Sequence, residues 1–307
     1  MLESNTMQPL LAVLTHNVVS LYAQPDRGSE RVSQALLGDV VEMLEGTDAW
    51  VRVKTRDDYS GWVMCKHLRP VAPDEPYASP GWPYDDPKAA RVRSLTVAVN
   101  LRSPFNGPTV TRLAFGTIVR IRGEWPGTRG VTKLWIPRGT EQNDGVRTVI
   151  TYPDSVRPVS DDETTFDPGY AASVAQWFIG TPYLWGGSTP FGFDCSGFVQ
   201  AIYREQNVIL PRDAYLQADC ALGTRLPPDA RLKPGDLVFF GGTPSARGRT
   251  ITHVGMALGK KRIIHASGRD GVCINTTDEM AADHGYRTVS VWRYGPAEAP
   301  SKRKADR

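Results

Sequence analysis

A chain of 307 residues is longer than one ordinary core encloses and points to two or three domains. At 40% apolar and 22% charged it is globular, and its net charge of +3, with no basic run interleaved with aromatics, leaves no footprint for nucleic acid. No stretch is apolar over the roughly 20 residues a membrane-spanning helix needs, and the four cysteines, at 65, 195, 220 and 273, lack disulfide-framework spacing, which fits reduced thiols.

The chain opens without a basic segment followed by a signal-length apolar run, the longest such run being Leu10 to Leu14, so a cytoplasmic location is expected. Residues 1–72 carry short alternations, Val40-Val41-Glu42-Met43-Leu44 and Trp50-Val51-Arg52-Val53, between turn signals at Gly38-Asp39, Gly46-Thr47 and Tyr59-Ser60-Gly61. Strands this short and closely spaced predict a small β-barrel with Trp50 and Trp62 in its core. Residues 73–90 are rich in proline and read as a stiff extended linker. Residues 91–160 repeat the short-strand style in Leu113–Val119 and Leu134–Pro137, with unusual insertions at Gly123–Gly130 and Arg138–Asp144. The last unit, 161–307, starts on a well-marked helix: Asp167 as N-cap, Pro168 at the first position, Ala171, Val174 and Phe178 facing inward, and Gly180 as stop. The short basic run Ser301–Lys304 reads as a solvated tail.

Gly180 to Tyr203 is the stretch that carries chemistry. Its glycines and prolines predict a loop, and Phe198/Ile202 with Val199/Tyr203 are i,i+4 pairs that predict a helix starting at Cys195. A sulfur at a helix N-terminus meets unpaired N–H groups and the positive end of the macrodipole, which favour thiolate. A cysteine before a helix is more often a small buried hydrophobe, so the downstream histidines decide the matter. In Thr250–Ala266, His253, Gly255 and Ala257 alternate with Val254, Met256 and Leu258 as in a strand, and Arg262–Ala266 reads as a second strand. If Leu258, Gly259 and Lys260 form the loop, residue 257 pairs with 261 and His253 with His265, placing both imidazoles on one face; a two-residue turn would separate them. Cys195, His253 and His265 then form nucleophile, base and base-orienter. Zinc is the competing use of one cysteine and two histidines, but C-x2-C spacing is absent.

Several motifs together resemble the NlpC-type bacterial cell-wall cysteine peptidases over about 170–295. They are Pro182–Gly187, Phe193-Asp194-Cys195-Ser196-Gly197-Phe198, Leu210–Ala214, Lys233–Phe240, His253–Met256 and Ile264–Ala266. The order Gly38-Asp39, Trp50–Val53, Gly61–Val63 is similar to a bacterial SH3-like domain, and 91–160 resembles a divergent second one. The resemblance implies an α+β fold, a papain-like catalytic domain preceded by two small SH3-like β-barrels. It implies cleavage of the γ-D-glutamyl to diamino-acid bond in murein peptides with a free N-terminal L-alanine, without metal or organic cofactor. By the same resemblance Tyr183 is a second oxyanion donor, Asp194 and Ser196 meet the substrate ammonium with Asp213, and Arg212 pairs with a substrate carboxylate or with Asp213. Glu30 and Tyr59 of the first barrel wall the subsite for the N-terminal residue. Asp194 beside a thiolate is a puzzle, because a carboxylate there raises the cysteine pKa; capping the helix is its other use. Ala214 stands where the family commonly has serine. The alternatives are a secreted hydrolase of intact wall, a non-catalytic wall-binding module and an acyltransferase on the same scaffold.

Overall fold

The computed structural model describes residues 9–100, 109–124, 132–137, 146–151, 155–159, 166–220, 222–241 and 248–294. The insertion at 138–144, the bridge at 160–163, the tail at 301–304 and most of the loop at 123–130 lie outside these.

The first unit consists of β1 (Leu10–Leu14), β2 (Val18–Tyr22), β3 (Arg31–Leu36), β4 (Val40–Gly46), β5 (Trp50–Lys54), β6 (Ser60–Met64) and β7 (Leu68–Pro70). All pairings are antiparallel, in the order β3-β2-β6-β5-β4-β1-β7. Period-two alternation sends Leu14, Leu21, Val51, Val53 and Val63 into one core. It sends Trp50 and Trp62 the other way: both are half-buried, and Trp50 stands edge-on to Tyr22 at 5.7 Å, so neither is core as expected.

The second unit holds β8 (Ala89–Val92), β9 (Thr96–Asn100), β10 (Thr109–Ala114), β11 (Ile118–Glu124), β12 (Thr132–Pro137), β13 (Val146–Thr151) and β14 (Val156–Pro158). Its order, β10-β9-β13-β12-β11-β8-β14, repeats that of the first strand for strand. The proline-rich segment between the units is no free spacer. Tyr77 and Trp82 are buried from it, in a cluster with Val13, Ala89, Ile118 and Val159 that glues the two sheets together. Aromatic burial has overridden the extended bias of the prolines.

In the third unit α1 (Pro168–Ala175) begins as expected, with the Asp167 carboxylate accepting from the amides of Gly169 and Tyr170. A short hairpin of β15 (Ser188–Thr189) and β16 (Gly192–Phe193) leads into α2 (Cys195–Arg204), whose Phe198, Val199, Ile202 and Tyr203 are buried, and then α3 (Ala214–Gln217). The strands β17 (Thr224–Leu226), β18 (Leu237–Gly241), β19 (Ile251–Gly259), β20 (Arg262–Ser267), β21 (Gly271–Thr276) and, after α4 (Thr277–His284), β22 (Arg287–Arg293) form an antiparallel sheet in the order β17-β22-β18-β19-β20-β21. Helix α4 is absent from the sequence reading, although Thr276-x-x-Glu279 is a capping-box pattern and both of its reciprocal bonds are made.

The units interlock. Phe115 of the second sheet enters the core of the third and stands edge-on to Phe178 at 5.1 Å, and the buried Arg91 guanidinium donates to the Glu205 carbonyl at 2.7 Å. Strand β3 lies along the loop ahead of α2, where the Ser188 amide donates to Gln34 at 3.0 Å and Arg31 donates to the Trp185 carbonyl at 3.3 Å. Gly186 sits in this seam with φ +71°, and a Cβ there would come 2.4 Å from the Arg31 carbonyl oxygen. Gly186→Ala is therefore expected to combine left-handed strain with a backbone clash and to lower unfolding free energy by about 1–3 kcal/mol, read by equilibrium denaturation.

Candidate active site

Helix α2 is started by Asp194, and this carboxylate is saturated. It accepts from the Gly197 amide at 2.7 Å, the Gly186 amide at 3.0 Å, the Ser196 hydroxyl at 3.3 Å and both terminal nitrogens of Arg212 at 2.6 and 3.1 Å. Arg212 is 1% exposed and also donates to Ser33 on β3 and to the Ser196 hydroxyl, each at 3.0 Å. Asp194, expected to meet a substrate ammonium, is thus bound extensively from inside the protein, and it also lines the cavity described below. Arg212 likewise spends its charge on Asp194 and is unavailable to a substrate carboxylate. Ser196 is buried between the two, shares their network and also lines the cavity described below.

Cys195 stands at the first turn of α2, and its thiol is pushed up to about 12 by burial and then by the Asp194 charge; the Val254 backbone, Arg212 and the Ser196 backbone act the other way with smaller effect. Desolvation and an adjacent carboxylate thus act against the thiolate that the helix N-terminus favours.

The histidines share a face of the sheet, but not as directly opposed residues. Ala257 pairs with Ile263, and the hairpin closes at Gly259 and Arg262 over a two-residue turn, Lys260-Lys261, both with positive φ. A bulge at Leu258 restores the alternation that this turn alone would have reversed. Continuing the register sets Gly255 across from His265, where a Cβ would lie 3.1 Å from that of His265, and His253 is the diagonal neighbour. The imidazoles meet over the glycine, with His253 Nε2 at 2.9 Å from His265 Nδ1 and the rings nearly perpendicular, at 87°. Tyr286, which the sequence reading missed, stacks on His253 at 4.7 Å with the planes 10° apart. Asn275 on β21, also missed, places Oδ1 2.9 Å from His265 Nε2. It stands two residues beyond Cys273, the register partner of His265, but only the strand pairing reveals that.

A cavity of ≈ 660 Å³ joins Cys195, His253 and His265 to Glu30 and Tyr59 from the first unit and to Tyr183 and Asp213. Burial and the neighbouring Cys195 raise the Tyr183 phenol, so it keeps its proton and can donate it in a hydrogen bond. Burial also raises Asp213, with Arg212 and Arg249 opposing; the Tyr59 hydroxyl lies 3.4 Å from it and an Arg249 nitrogen 3.8 Å. Glu30 accepts from the Trp185 indole at 2.9 Å, a second tie between the first unit and the loop before α2. The arrangement can hold a thiol, an imidazole pair and a carboxylate that favours a cation around one small ligand.

Two outcomes test this electrostatic picture. A folded-state thiol pKa above the unfolded value, about 8.5, means that stability contributed by the protonated thiol is complete below that value and is lost as pH rises toward 12. Thiolate absorbance near 240 nm, taken as wild type minus Cys195→Ser, is therefore expected to show no ionisation of Cys195 between about pH 6 and 9; a step near neutrality would contradict it. Replacing Arg212 by Met is expected to strand the Asp194 charge and cost about 3–5 kcal/mol of stability by denaturant titration.

Two family models match the chain: the NlpC/P60 family over residues 180–292 and the bacterial dipeptidyl-peptidase SH3 domain over 21–68. It is 29% identical over 273 residues to the γ-D-glutamyl-L-lysine dipeptidyl-peptidase of Bacillus subtilis (strain 168), covering 86% of this chain and 78% of that protein. It is 38% identical over 120 residues to the probable endopeptidase NlpC of Escherichia coli (strain K12), covering 39% of this chain and 73% of that protein. The crystal structure of an NlpC/P60 family protein from Bacillus cereus ATCC 10987 superposes with a TM-score of 0.73 at 20% identity, covering 93% of this chain and 100% of that one, which shows the shared fold. The chain belongs to the NlpC/P60 family of cysteine peptidases and carries a bacterial dipeptidyl-peptidase SH3 domain ahead of its papain-like catalytic domain.

Proposed function

We propose that the protein hydrolyses the γ-D-glutamyl to diamino-acid bond of short murein peptides that bear a free N-terminal L-alanine, as a step in recycling wall peptides. The observation that carries this reading is the joint cavity. The SH3 domain sends Glu30 and Tyr59 into a space of ≈ 660 Å³ that also holds Cys195, His253 and His265. That volume lies in the range, about 300–1,000 Å³, of sites that enclose a small ligand. The similarity to a γ-D-glutamyl-L-lysine dipeptidyl-peptidase supports the bond type. The four free cysteines fit a reducing, cytoplasmic compartment. The repeated strand order supports reading the second sheet as a divergent second SH3-like barrel, and the proposed domains are 1–72, 91–160 and 161–307 around the linker at 73–90.

In this reading Cys195 Sγ attacks the γ-glutamyl carbonyl while His253 takes the thiol proton. A thiol pushed up to about 12 favours loss of its proton in the attack itself. The Cys195 amide, one of the helix N–H groups without an intrahelical acceptor, and the Tyr183 hydroxyl receive the oxyanion. Collapse expels the diamino acid, its amine protonated by His253, and water then releases the γ-glutamyl product from the thioester with His253 as base. Asp213, held by Tyr59 and raised by burial, is the carboxylate for the alanine ammonium, and Glu30 is the second anion at that end. With Arg212 committed to Asp194, Arg249 supplies the cation for the free α-carboxylate of D-glutamate. It lines the cavity and stacks on Tyr215, 3.5 Å from the ring centroid.

A buried carboxylate meeting an ammonium gains charge-assisted hydrogen bonds worth about 1.5–3 kcal/mol each. Acetylating the alanine amine is therefore expected to lower kcat/KM on the L-Ala-γ-D-Glu-diaminopimelate tripeptide at least about 10²-fold. Asp213→Asn should narrow that gap by slowing the free-amine substrate most. Equal kcat/KM for the two tripeptides, or ready solubilisation of intact sacculi, would establish a hydrolase of intact wall instead.

A further inference from the structure

Resting on the catalytic reading of Cys195, His253 and His265, we propose that Asn275 is a positioning residue. Its carbonyl oxygen fixes the proton of His265 on Nε2 and thereby leaves Nδ1 of His253 as the base for the thiol.

Asn275 turns its Oδ1 toward the histidine pair. Cys273 Sγ lies 3.4 Å from that Oδ1, where the thiol can donate to it. His265 Nε2 lies 2.9 Å from the same oxygen and must therefore carry the hydrogen.

A neutral imidazole has one N–H. With it on Nε2, His265 Nδ1 is an acceptor, and the nitrogen 2.9 Å away, His253 Nε2, donates to it. The lone pair of His253 then sits on Nδ1, the nitrogen not committed to His265. After taking the thiol proton, His253 becomes an imidazolium that keeps its bond to His265, so no further proton moves. A reversed amide would present NH2 to His265 Nε2, invert both rings and put the hydrogen of His253 on Nδ1, where it could not act as base. The orientation of one side-chain amide thus sets the tautomer of the base.

The test compares Asn275→Leu with the double variant Asn275→Asp/Glu279→Gln, in which an oxygen still faces His265 and the second change removes a nearby like charge from the new carboxylate. Asn275→Leu is expected to lower kcat about 10- to 100-fold with KM within about twofold, as for the loss of an outer partner of a functional histidine. The double variant should recover to within about tenfold of the wild type. Two-bond ¹⁵N–¹H spectra of the substrate-free protein should show the Nε2–H form of His265 in the wild type and the double variant, and a tautomer mixture in Asn275→Leu. These spectra decide the point even if the substrate assignment is wrong. A wild-type His265 spectrum in Asn275→Leu would overturn the proposal. So would equal losses of kcat in both variants with matching falls in melting temperature.

Discussion

The buried pair of Asp194 and Arg212 is the interaction on which the site depends. It closes the N-terminus of α2, fixes the loop at Gly186, buries Ser196 and reaches Ser33 on β3, so one ion pair sets the helix, the loop and the docked SH3 domain against each other. A pair this enclosed is not a source of net stability, since desolvation offsets much of the attraction. What it supplies is a geometry that no other partner can satisfy. Cys195 is held one residue along, and the cost appears there as a thiol that burial and the Asp194 charge keep protonated.

That cost shapes the chemistry. A thiol reluctant to ionise suits a site in which the proton leaves only as the sulfur attacks, and the rest of the cavity is built for that moment. His253 is braced by Tyr286 on its face and by His265 at Nε2, while Tyr183 stays protonated within reach of the sulfur's surroundings. The bulge at Leu258 and the bare Cα of Gly255 are what allow two imidazoles on adjacent strands to touch. The SH3 domain completes the cavity and does not merely tether it. The second sheet buttresses from behind, through Phe115 in the catalytic core and Arg91 on the end of α2.

Periodicity and capping rules were enough for α1, for the helix that begins at Cys195, for the strand runs around His253 and His265 and for the short-strand style of the N-terminal half, because each is written in contiguous residues. The motifs around Cys195 also carried the family. Trp50 and Trp62 were misplaced because alternation gives two faces without saying which is inward, and the valines between them took the core. The proline-rich segment was misread because burial of Tyr77 and Trp82 depends on surfaces that neighbouring units supply.

The site divides along the same line. That a cysteine at a helix start, two histidines and several carboxylates belong together followed from sequence, since those side chains have few other uses in such company. How the carboxylates were shared followed only from the fold: Asp194 is tied to Arg212 at the cavity wall, and Asp213 faces the cavity beside Tyr59. Register decided the remainder. The offset that sets His253 diagonal to His265 hangs on one extra residue in the β19–β20 hairpin, and the separate β20–β21 pairing brings Asn275 to the far nitrogen of His265. A local sequence fixes neither, because strand pairing is chosen by the packing of the whole sheet.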